Sequence, residues 1–148
     1  MQALPEDPQA LAELAASAMY GNDPASQALG VKLLSVAPGR ASMSMTVRAD
    51  MLNGHKTCHG GFIFALADST FAFACNSRNL ATVASGCSID YLAPSFEGDV
   101  LTAYANEYSL AGRTGVYDVE VCNQDGKRIA IFRGRSYRIK GQVVGEPA

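Results

Sequence analysis

One apolar segment dominates the middle of the 148-residue chain, residues 59–79, with the sequence HGGFIFALADSTFAFACNSRN. Its length, its alanines and its lack of a β-branched run favour a helix over a strand. The segment is apolar on nearly every face, and a helix of this kind must be covered on all sides. We therefore predict one long buried helix that is wrapped by the rest of the chain.

Short segments with strand character surround this helix. Met43, Met45 and Val47 alternate with small polar residues, as in a half-buried strand. Short breaks that contain Gly, Pro or Asp separate the later segments and suit an antiparallel meander rather than parallel crossovers. The predicted fold is α+β, a curled antiparallel sheet around the central helix, with strands at residues 31–36, 42–47, 82–92, 100–110, 115–122 and 128–140.

The N-terminal region predicts a separate helix over residues 7–20. Asp7 can cap it, Pro8 suits its first turn, and apolar residues recur at helical spacing. Residues 21–24 end it, and residues 25–29 can form one further turn. With no repeat or linker in view, we expect a single domain over residues 1–148, in which residues 1–23 form an N-terminal helical extension.

Composition excludes several classes of function. Hydrophobic residues make up 48% of the chain, charged residues 18%, and the net charge is −2. This balance offers no basic surface for nucleic acid or for an anionic membrane. The apolar segment is too short and too polar to span a membrane, and the N-terminus does not resemble a secretory leader. Four cysteines without a C-x-x-C pair predict free thiols and a cytoplasmic location.

Asp68 is the first candidate for chemistry. On a helix its neighbours are Phe64, Ala65, Phe71 and Ala72, so its carboxylate leaves an apolar surface. Burial would raise its pKa, as expected for a general base or a tuned nucleophile. The alternative is a structural Asp held by hydrogen bonds.

The second candidate is the segment from Asn53 to Gly61, in which two glycines open an apolar helix. Glycine disfavours a helix unless the backbone must stay bare. The unpaired N–H groups at such a terminus suit developing negative charge, and Asn53 can add a polar contact. A tight turn with an ordinary N-cap is the alternative. His59 and Cys58 have no further ligands at zinc-like spacing, so we expect neither a metal site nor a thiol nucleophile.

Taken together, these motifs resemble a known family. The pattern L-N-G-H-x-x-C-H-G-G is followed by A-L-A-D, then by ACNS (74–77), VAS (83–85), TGVYD (114–118) and FRG (132–134). It is similar to the hotdog-fold acyl-CoA thioesterases of phenylacetic acid degradation, over nearly the whole chain except about the first dozen residues. That family has a long helix wrapped by an antiparallel sheet, and its active sites lie between paired subunits.

The resemblance implies the roles of several residues. The catalytic Asp falls on Asp68, the polarising backbone amide on Gly60 and the family's Asn on Asn53. Beside these we expect His59 and Gly61 to contact the substrate; for His59 the alternative is a structural hydrogen-bond donor. Some relatives carry a Ser or Thr on the next strand to orient water, where this chain has Ala84 followed by Ser85. The implied substrate is phenylacetyl-CoA or a hydroxylated derivative. Neither a metal nor an organic cofactor is implied.

Spacing along the helix adds an expectation about assembly. Gly60 and Asp68 are eight residues apart, about 12 Å along one helix, so one carbonyl group cannot touch both in the same subunit. We therefore expect at least a homodimer. A dimer of dimers is a further expectation that the spacing does not itself require.

A basic cluster near the C-terminus bears on the CoA part of the substrate. It comprises Lys127, Arg128, Arg133, Arg135, Arg138 and Lys140. Period-2 alternation puts Arg133 and Arg135 on one strand face and Arg128, Arg138 and Lys140 on the other. Arg binds phosphate well, so Arg133 and Arg135 are candidates for the CoA phosphates; a solvated face is the alternative.

Two rival functions stay open from the sequence. A hotdog dehydratase or hydratase would need His59 and an acid at one substrate carbon. A non-catalytic acyl-CoA sensor would bind without turnover.

Overall fold

The computed structural model describes residues 3–145. Two helices precede the first strand pair, and a third helix separates that pair from four longer strands. The elements in chain order are α1 (Pro8–Gly21), α2 (Pro24–Ala28), β1 (Lys32–Ala37), β2 (Arg40–Thr46), α3 (Gly60–Cys75), β3 (Leu80–Tyr91), β4 (Val100–Ala111), β5 (Thr114–Cys122) and β6 (Arg128–Gln142), with a 3₁₀ turn at Ala49–Met51.

The six strands form one antiparallel sheet in the order β1-β2-β4-β5-β6-β3. This confirms the predicted α+β hotdog class. The predicted meander holds only for β4, β5 and β6, because β3 lies at the sheet edge beside β6 rather than beside β4. The reason is that α3 intervenes between β2 and β3: the chain crosses the concave side of the sheet, and β2 pairs with β4 instead.

The central helix α3 fills the concave side of this sheet. Its buried face includes Leu66, Phe71 and Phe73, each 1% exposed or less. The Phe71 ring lies 5.6 Å from the Tyr117 ring, and it packs so closely on β6 that a Cβ at Gly134 would come within 2.7 Å of it. The sheet and the helix therefore share one core, as an all-round apolar helix requires.

Helix α3 ends four residues before the predicted boundary at Asn79. Asn76 caps it, and the amide of this side chain donates to the carbonyls of Ala72 and Thr82 while its oxygen accepts from the Thr82 N–H. A side chain that bonds to the backbone in this way competes with further helical turns. The cap turns the chain directly into β3.

The predicted N-terminal helix is confirmed as α1. The Asp7 carboxylate accepts from the Ala10 N–H at 2.9 Å, and Pro8 lies in the first turn. The short helix α2 is fastened to α3 by a 3.0 Å hydrogen bond between the hydroxyls of Ser26 and Ser69. The single domain over residues 1–148 stays a prediction, and its residues 1, 2 and 146–148 lie outside those described. Within residues 3–145, no helix combines the length and apolar character needed to cross a membrane.

Candidate active site

The N-terminus of α3 presents one unpaired backbone amide. His59 is the N-cap, and its Nδ1 accepts from the Gly61 N–H at 3.0 Å. Within residues 3–145, no acceptor is bonded to the Gly60 N–H. Because the first amides of a helix carry partial positive charge, Gly60 offers a donor for a carbonyl oxygen that gains negative charge. The structure thus separates the two glycines: Gly61 is engaged by the cap and Gly60 is open.

Tyr91, at the end of β3, fixes this terminus and was missed by the sequence analysis. Its hydroxyl donates to the Gly60 carbonyl at 2.9 Å, and a Cβ on Gly60 would come within 2.9 Å of the tyrosine ring. The ring therefore occupies the space that a side chain at position 60 would need. The sequence signal was the glycine itself, since a bare helical residue indicates a close neighbour.

Asp68 lies two turns further along α3, on the side of the helix that its own sheet leaves uncovered. It is half-buried, and within the described chain no group donates a hydrogen bond to its carboxylate. Burial raises the pKa of this carboxyl above its ordinary value of 3.8. The predicted apolar surroundings are present, whereas within residues 3–145 no hydrogen bond holds this carboxylate as it would hold a structural Asp.

Gly60 and Asp68 belong to one unbroken helix, Gly60–Cys75. Eight residues of helical rise place them about 12 Å apart. The structure of a single chain does not bring them together, as the spacing predicted.

Asn53 stands in the loop that leads into α3. Its carboxamide oxygen accepts from the amides of His55 and Thr57, at 2.9 and 3.2 Å, and its Nδ2 donates to the Thr57 hydroxyl at 3.0 Å. In this arrangement Asn53 holds the shape of the loop. A direct contact of Asn53 with a substrate stays a prediction.

The predicted faces of the basic cluster need one correction. A bulge opposite the end of β5 shifts the register, so that Arg128 pairs with Cys122 and its guanidinium bonds to Glu120 at 3.0 Å. Arg133 bonds to Asp118 at 2.7 Å, on the same side of β5 as Glu120. Arg128 therefore shares the outer face with Arg133 instead of lying opposite it, because the bulge adds one residue to the alternation.

Arg133 and Arg135 differ in whether a neighbouring carboxylate neutralises their charge. Arg133 is paired with Asp118 through two hydrogen bonds and also lies 5.0 Å from the centre of the Tyr108 ring. Arg135 is exposed and lies against Gly86 of β3, and no carboxylate of residues 3–145 pairs with it. Of the two candidates for CoA phosphate, Arg135 has the unneutralised charge.

The cysteines do not offer an activated thiol. All four are free thiols, and burial raises the pKa of Cys75 to about 12 and that of Cys58 above its ordinary value. A thiol that keeps its proton is a poor nucleophile. Within the described residues, no group of three or more His, Cys, Asp or Glu side chains is arranged to hold a metal ion.

Comparison with known proteins shows the family of this chain. The family model of the thioesterase superfamily matches residues 55–130, more than half of the chain. The acyl-coenzyme A thioesterase PaaI of Escherichia coli is 54% identical over 131 residues, which cover 88% of this chain and 94% of that protein.

Solved structures give the same result. The structure of the E. coli PaaI protein from the phenylacetic acid degradation operon superposes with a TM-score of 0.90 at 51% identity, covering 92% of this chain and 99% of that one. The phenylacetic acid degradation protein PaaI of Thermus thermophilus, solved as a point mutant, gives 0.76 at 47% identity and covers 79% and 100%. A hypothetical thioesterase protein from Streptococcus pneumoniae, solved with coenzyme A, gives a TM-score of 0.77 at 26% identity and covers 84% of this chain and 98% of that one. The predicted resemblance is confirmed: the chain belongs to the thioesterase superfamily and, within it, to the PaaI family of hotdog-fold acyl-CoA thioesterases.

Proposed function

We propose that this protein hydrolyses phenylacetyl-CoA, or a hydroxylated phenylacetyl-CoA, to the free acid and CoA in phenylacetate degradation. The observation that carries the proposal is the pair of groups that α3 leaves unpaired, the Gly60 N–H at its terminus and the Asp68 carboxylate on its uncovered side. The identity to E. coli PaaI, whose structure is described as part of the phenylacetic acid degradation operon, supports the acyl group.

In the proposed reaction the Gly60 N–H bonds to the thioester oxygen and stabilises the negative charge that develops there. Losing one such donor typically costs about 10²–10³ in rate. His59 keeps this terminus in shape by accepting from Gly61. The neighbouring His59 and Gly61 thus line the same end of the substrate site.

Asp68 of the facing subunit supplies the second half of the reaction. As a general base it takes a proton from water, whose oxygen adds to the carbonyl carbon. As a nucleophile it adds to that carbon itself and forms an anhydride that water then hydrolyses. In both courses the C–S bond breaks, CoA leaves as the thiolate and takes up a proton, and Asp68 must start ionised. CoA is part of the substrate, and the reaction requires no metal or organic cofactor.

The dimer needed for this reaction is proposed to form along β3. That strand has 12 residues, lies at the sheet edge, and exposes Val83, Ala84 and Ser85. A long open edge is a template for pairing with another chain. A twofold contact would lay the two copies of α3 side by side, and each Asp68 would then approach its partner's helix terminus. A dimer of dimers remains part of the proposal, as does a cytoplasmic location, which four free thiols favour.

The test is hydrolysis of a panel of acyl-CoAs, followed with a thiol reagent. Wild-type protein should release CoA from phenylacetyl-CoA, and Asp68→Asn should lose about 10²- to 10⁴-fold in kcat while still binding the ester. Asp125→Asn, which alters an exposed turn, is the matched control and should keep full activity.

Three outcomes would contradict the proposal. Binding without CoA release would mean a sensor, and addition of water to an enoyl-CoA without thiol release would mean a hydratase. Near-normal kcat in Asp68→Asn would remove Asp68 from the chemistry.

A further inference from the structure

A cleft of about 610 Å³ opens beside Asp68, between α3 and the N-terminal extension. Asp68 and Ala72 form its floor on α3, Met19 and Ala25 come from the end of α1 and from α2, and Val143 comes from the segment after β6. A volume of this order is typical of sites for small ligands. The extension therefore forms one wall of a cleft that contains the proposed catalytic acid.

The polar side chains of this wall are bonded to their own surroundings. The Asp23 carboxylate accepts from the Ser26 hydroxyl at 2.6 Å, and Ser26 in turn meets Ser69. The Asn22 amide donates to the Ala18 carbonyl at 2.9 Å. These bonds keep the wall in place against α3. Of the two acids in the cleft, Asp68 is the one whose carboxylate accepts no hydrogen bond within the described chain.

The charge of the cleft discriminates between the two ends of an acyl-CoA. None of its lining residues is Lys or Arg, and two of them, Asp23 and Asp68, are acids. Phosphates are repelled by such a surface, so the nucleotide end of CoA is excluded from it. The side chains of Met19, Ala25, Ala72 and Val143 instead offer apolar surface next to the reacting carboxylate.

The covalent structure of the substrate also favours the acyl end, rather than the nucleotide end, for this cleft. In phenylacetyl-CoA a single methylene joins the ring to the thioester carbonyl, so the ring must lie within a few ångströms of the atom that Asp68 attacks or hydrates. The apolar residues that line the same cleft as Asp68 are therefore available to that ring.

We propose that this cleft binds the acyl group, and that the α1–α2 wall, through Met19 and Ala25, determines which acyl groups the enzyme accepts. The inference rests on the proposed function, since it assigns the acyl end of the same substrate. It gives the N-terminal extension a role in selectivity that is separate from the carbonyl chemistry of α3.

The test compares one substitution at two positions of the same short helix. Ala25→Leu places a larger side chain in the cleft, whereas Ala28→Leu places it on the exposed part of α2 that does not line the cleft. Leu suits a helix, and both positions are exposed, so both variants should fold. Thermal unfolding and size-exclusion chromatography should confirm this before kinetics are measured.

Ala25→Leu should lower kcat/KM for phenylacetyl-CoA by about tenfold, since one or a few extra methylenes next to a bound apolar group have effects of this size. For acetyl-CoA, whose acyl group is too short to reach the wall, the change should stay below about twofold. Ala28→Leu should leave both values unchanged. Met19→Ala should shift preference in the opposite direction, towards bulkier acyl groups.

Two results would overturn the inference while leaving the proposed function intact. One is a parallel loss for both acyl-CoAs in Ala25→Leu; the other is unchanged selectivity in both Ala25→Leu and Met19→Ala. If wild-type protein releases no CoA from any ester, the proposed function fails instead. The wild-type panel thus separates the two failures.

Discussion

The Tyr91 hydroxyl donates to the Gly60 carbonyl at 2.9 Å, while the tyrosine ring covers the Cα of the same glycine. Two consecutive glycines at a helix terminus would otherwise be free to rotate. The ring and the hydrogen bond restrict that rotation and so fix the direction of the Gly60 N–H. Donors held ready in this way stabilise developing charge without reorganising during the reaction. We therefore propose that Tyr91 is a positioning residue for the proposed oxyanion contact of Gly60.

Tyr91→Phe should lower kcat by about three- to tenfold, the effect of one hydrogen bond, with little change in KM. The ring remains in place, so the fold should be preserved. Tyr104→Phe is the matched control, because Tyr104 has a similar exposure, 49% against 51%, and lies on the outer face of the sheet. Steady-state kinetics of the two variants check the prediction; a rise in KM alone in Tyr91→Phe would contradict it.

Gly60→Ala tests the packing half of the same relationship. The new Cβ would lie 2.9 Å from the Tyr91 ring, so the ring or the helix terminus must shift and kcat should fall. In a Tyr91→Ala background the collision is absent. There, Gly60→Ala should lower kcat by a smaller factor than it does in the wild-type background. A double-mutant cycle on kcat measures the difference. Strictly additive effects would mean that Tyr91 and Gly60 do not act together.

The raised pKa of Asp68 leads to a prediction about pH. Because the carboxylate must be ionised, kcat/KM should fall on the acid side with a midpoint above the ordinary value of 3.8. A pH–rate profile from acid to neutral pH checks this. A midpoint at or below the ordinary value would contradict the burial of the reacting carboxylate.

The pH dependence of stability should have the opposite sign to that of kcat/KM. The folded chain holds the Asp68 proton more tightly than the unfolded chain, so the free energy of unfolding falls as pH rises from the ordinary pKa through the raised one. Asp68→Asn removes this loss of stability and should raise Tm at neutral pH, while kcat falls by about 10²- to 10⁴-fold. Thermal unfolding of the variant and wild type checks the sign; a lower Tm in Asp68→Asn would favour a structural role for the residue.

Local patterns were sufficient to predict the elements of the fold, and contacts distant in sequence were not. The period-2 alternation around Met43 and the apolar run of α3 each depend on neighbours in the chain. The edge position of β3 depends on which strands pair across the sheet, and no local pattern encodes that. The strand face predicted for Arg128 was wrong because a bulge adds a residue to the alternation. Counting alternate residues along the sequence cannot detect a bulge.

The residues of the candidate site also divide into those that local sequence patterns predict and those that depend on distant contacts. Asp68 and Gly60 were found because an acid on an apolar helix and a glycine at its start conflict with local preferences. Tyr91 was missed because only the packing of β3 on α3 brings it to Gly60. The cleft beside Asp68 was missed for the same reason, since its wall comes from residues more than forty positions earlier in the chain.

The basic cluster gives a prediction about CoA affinity. Arg135→Ala should raise KM for phenylacetyl-CoA by about two- to fivefold, the range of an exposed charge pair, because its charge is not neutralised within the described chain. Removing Arg133 and Asp118 together keeps the charge balance and should leave KM nearly unchanged. Higher salt should weaken binding of the CoA ester but not of an acyl-pantetheine, which lacks the nucleotide. Equal salt responses of the two substrates would mean that the basic cluster is a solvated face that does not bind the CoA phosphates.

The division of the site between two subunits can be tested with inactive partners. Asp68→Asn removes the acid, and Gly60→Pro removes the backbone N–H without supplying another donor. In a mixed dimer one site collects both defects, and the other regains an intact Gly60 and an intact Asp68. Refolding the two variants together should restore up to about a quarter of wild-type activity, if half of the dimers are mixed and each has one good site.

Different affinity tags on the two variants allow the mixed dimers to be isolated, and these should reach about half of wild-type activity. Refolding Asp68→Asn with itself is the control and should restore nothing. Size-exclusion chromatography must first show that Gly60→Pro forms dimers, because proline at the helix start can also disturb folding. Isolated mixed dimers of the correct size without hydrolysis would mean that Gly60 and Asp68 do not meet across an interface, since each such dimer contains one undamaged copy of both.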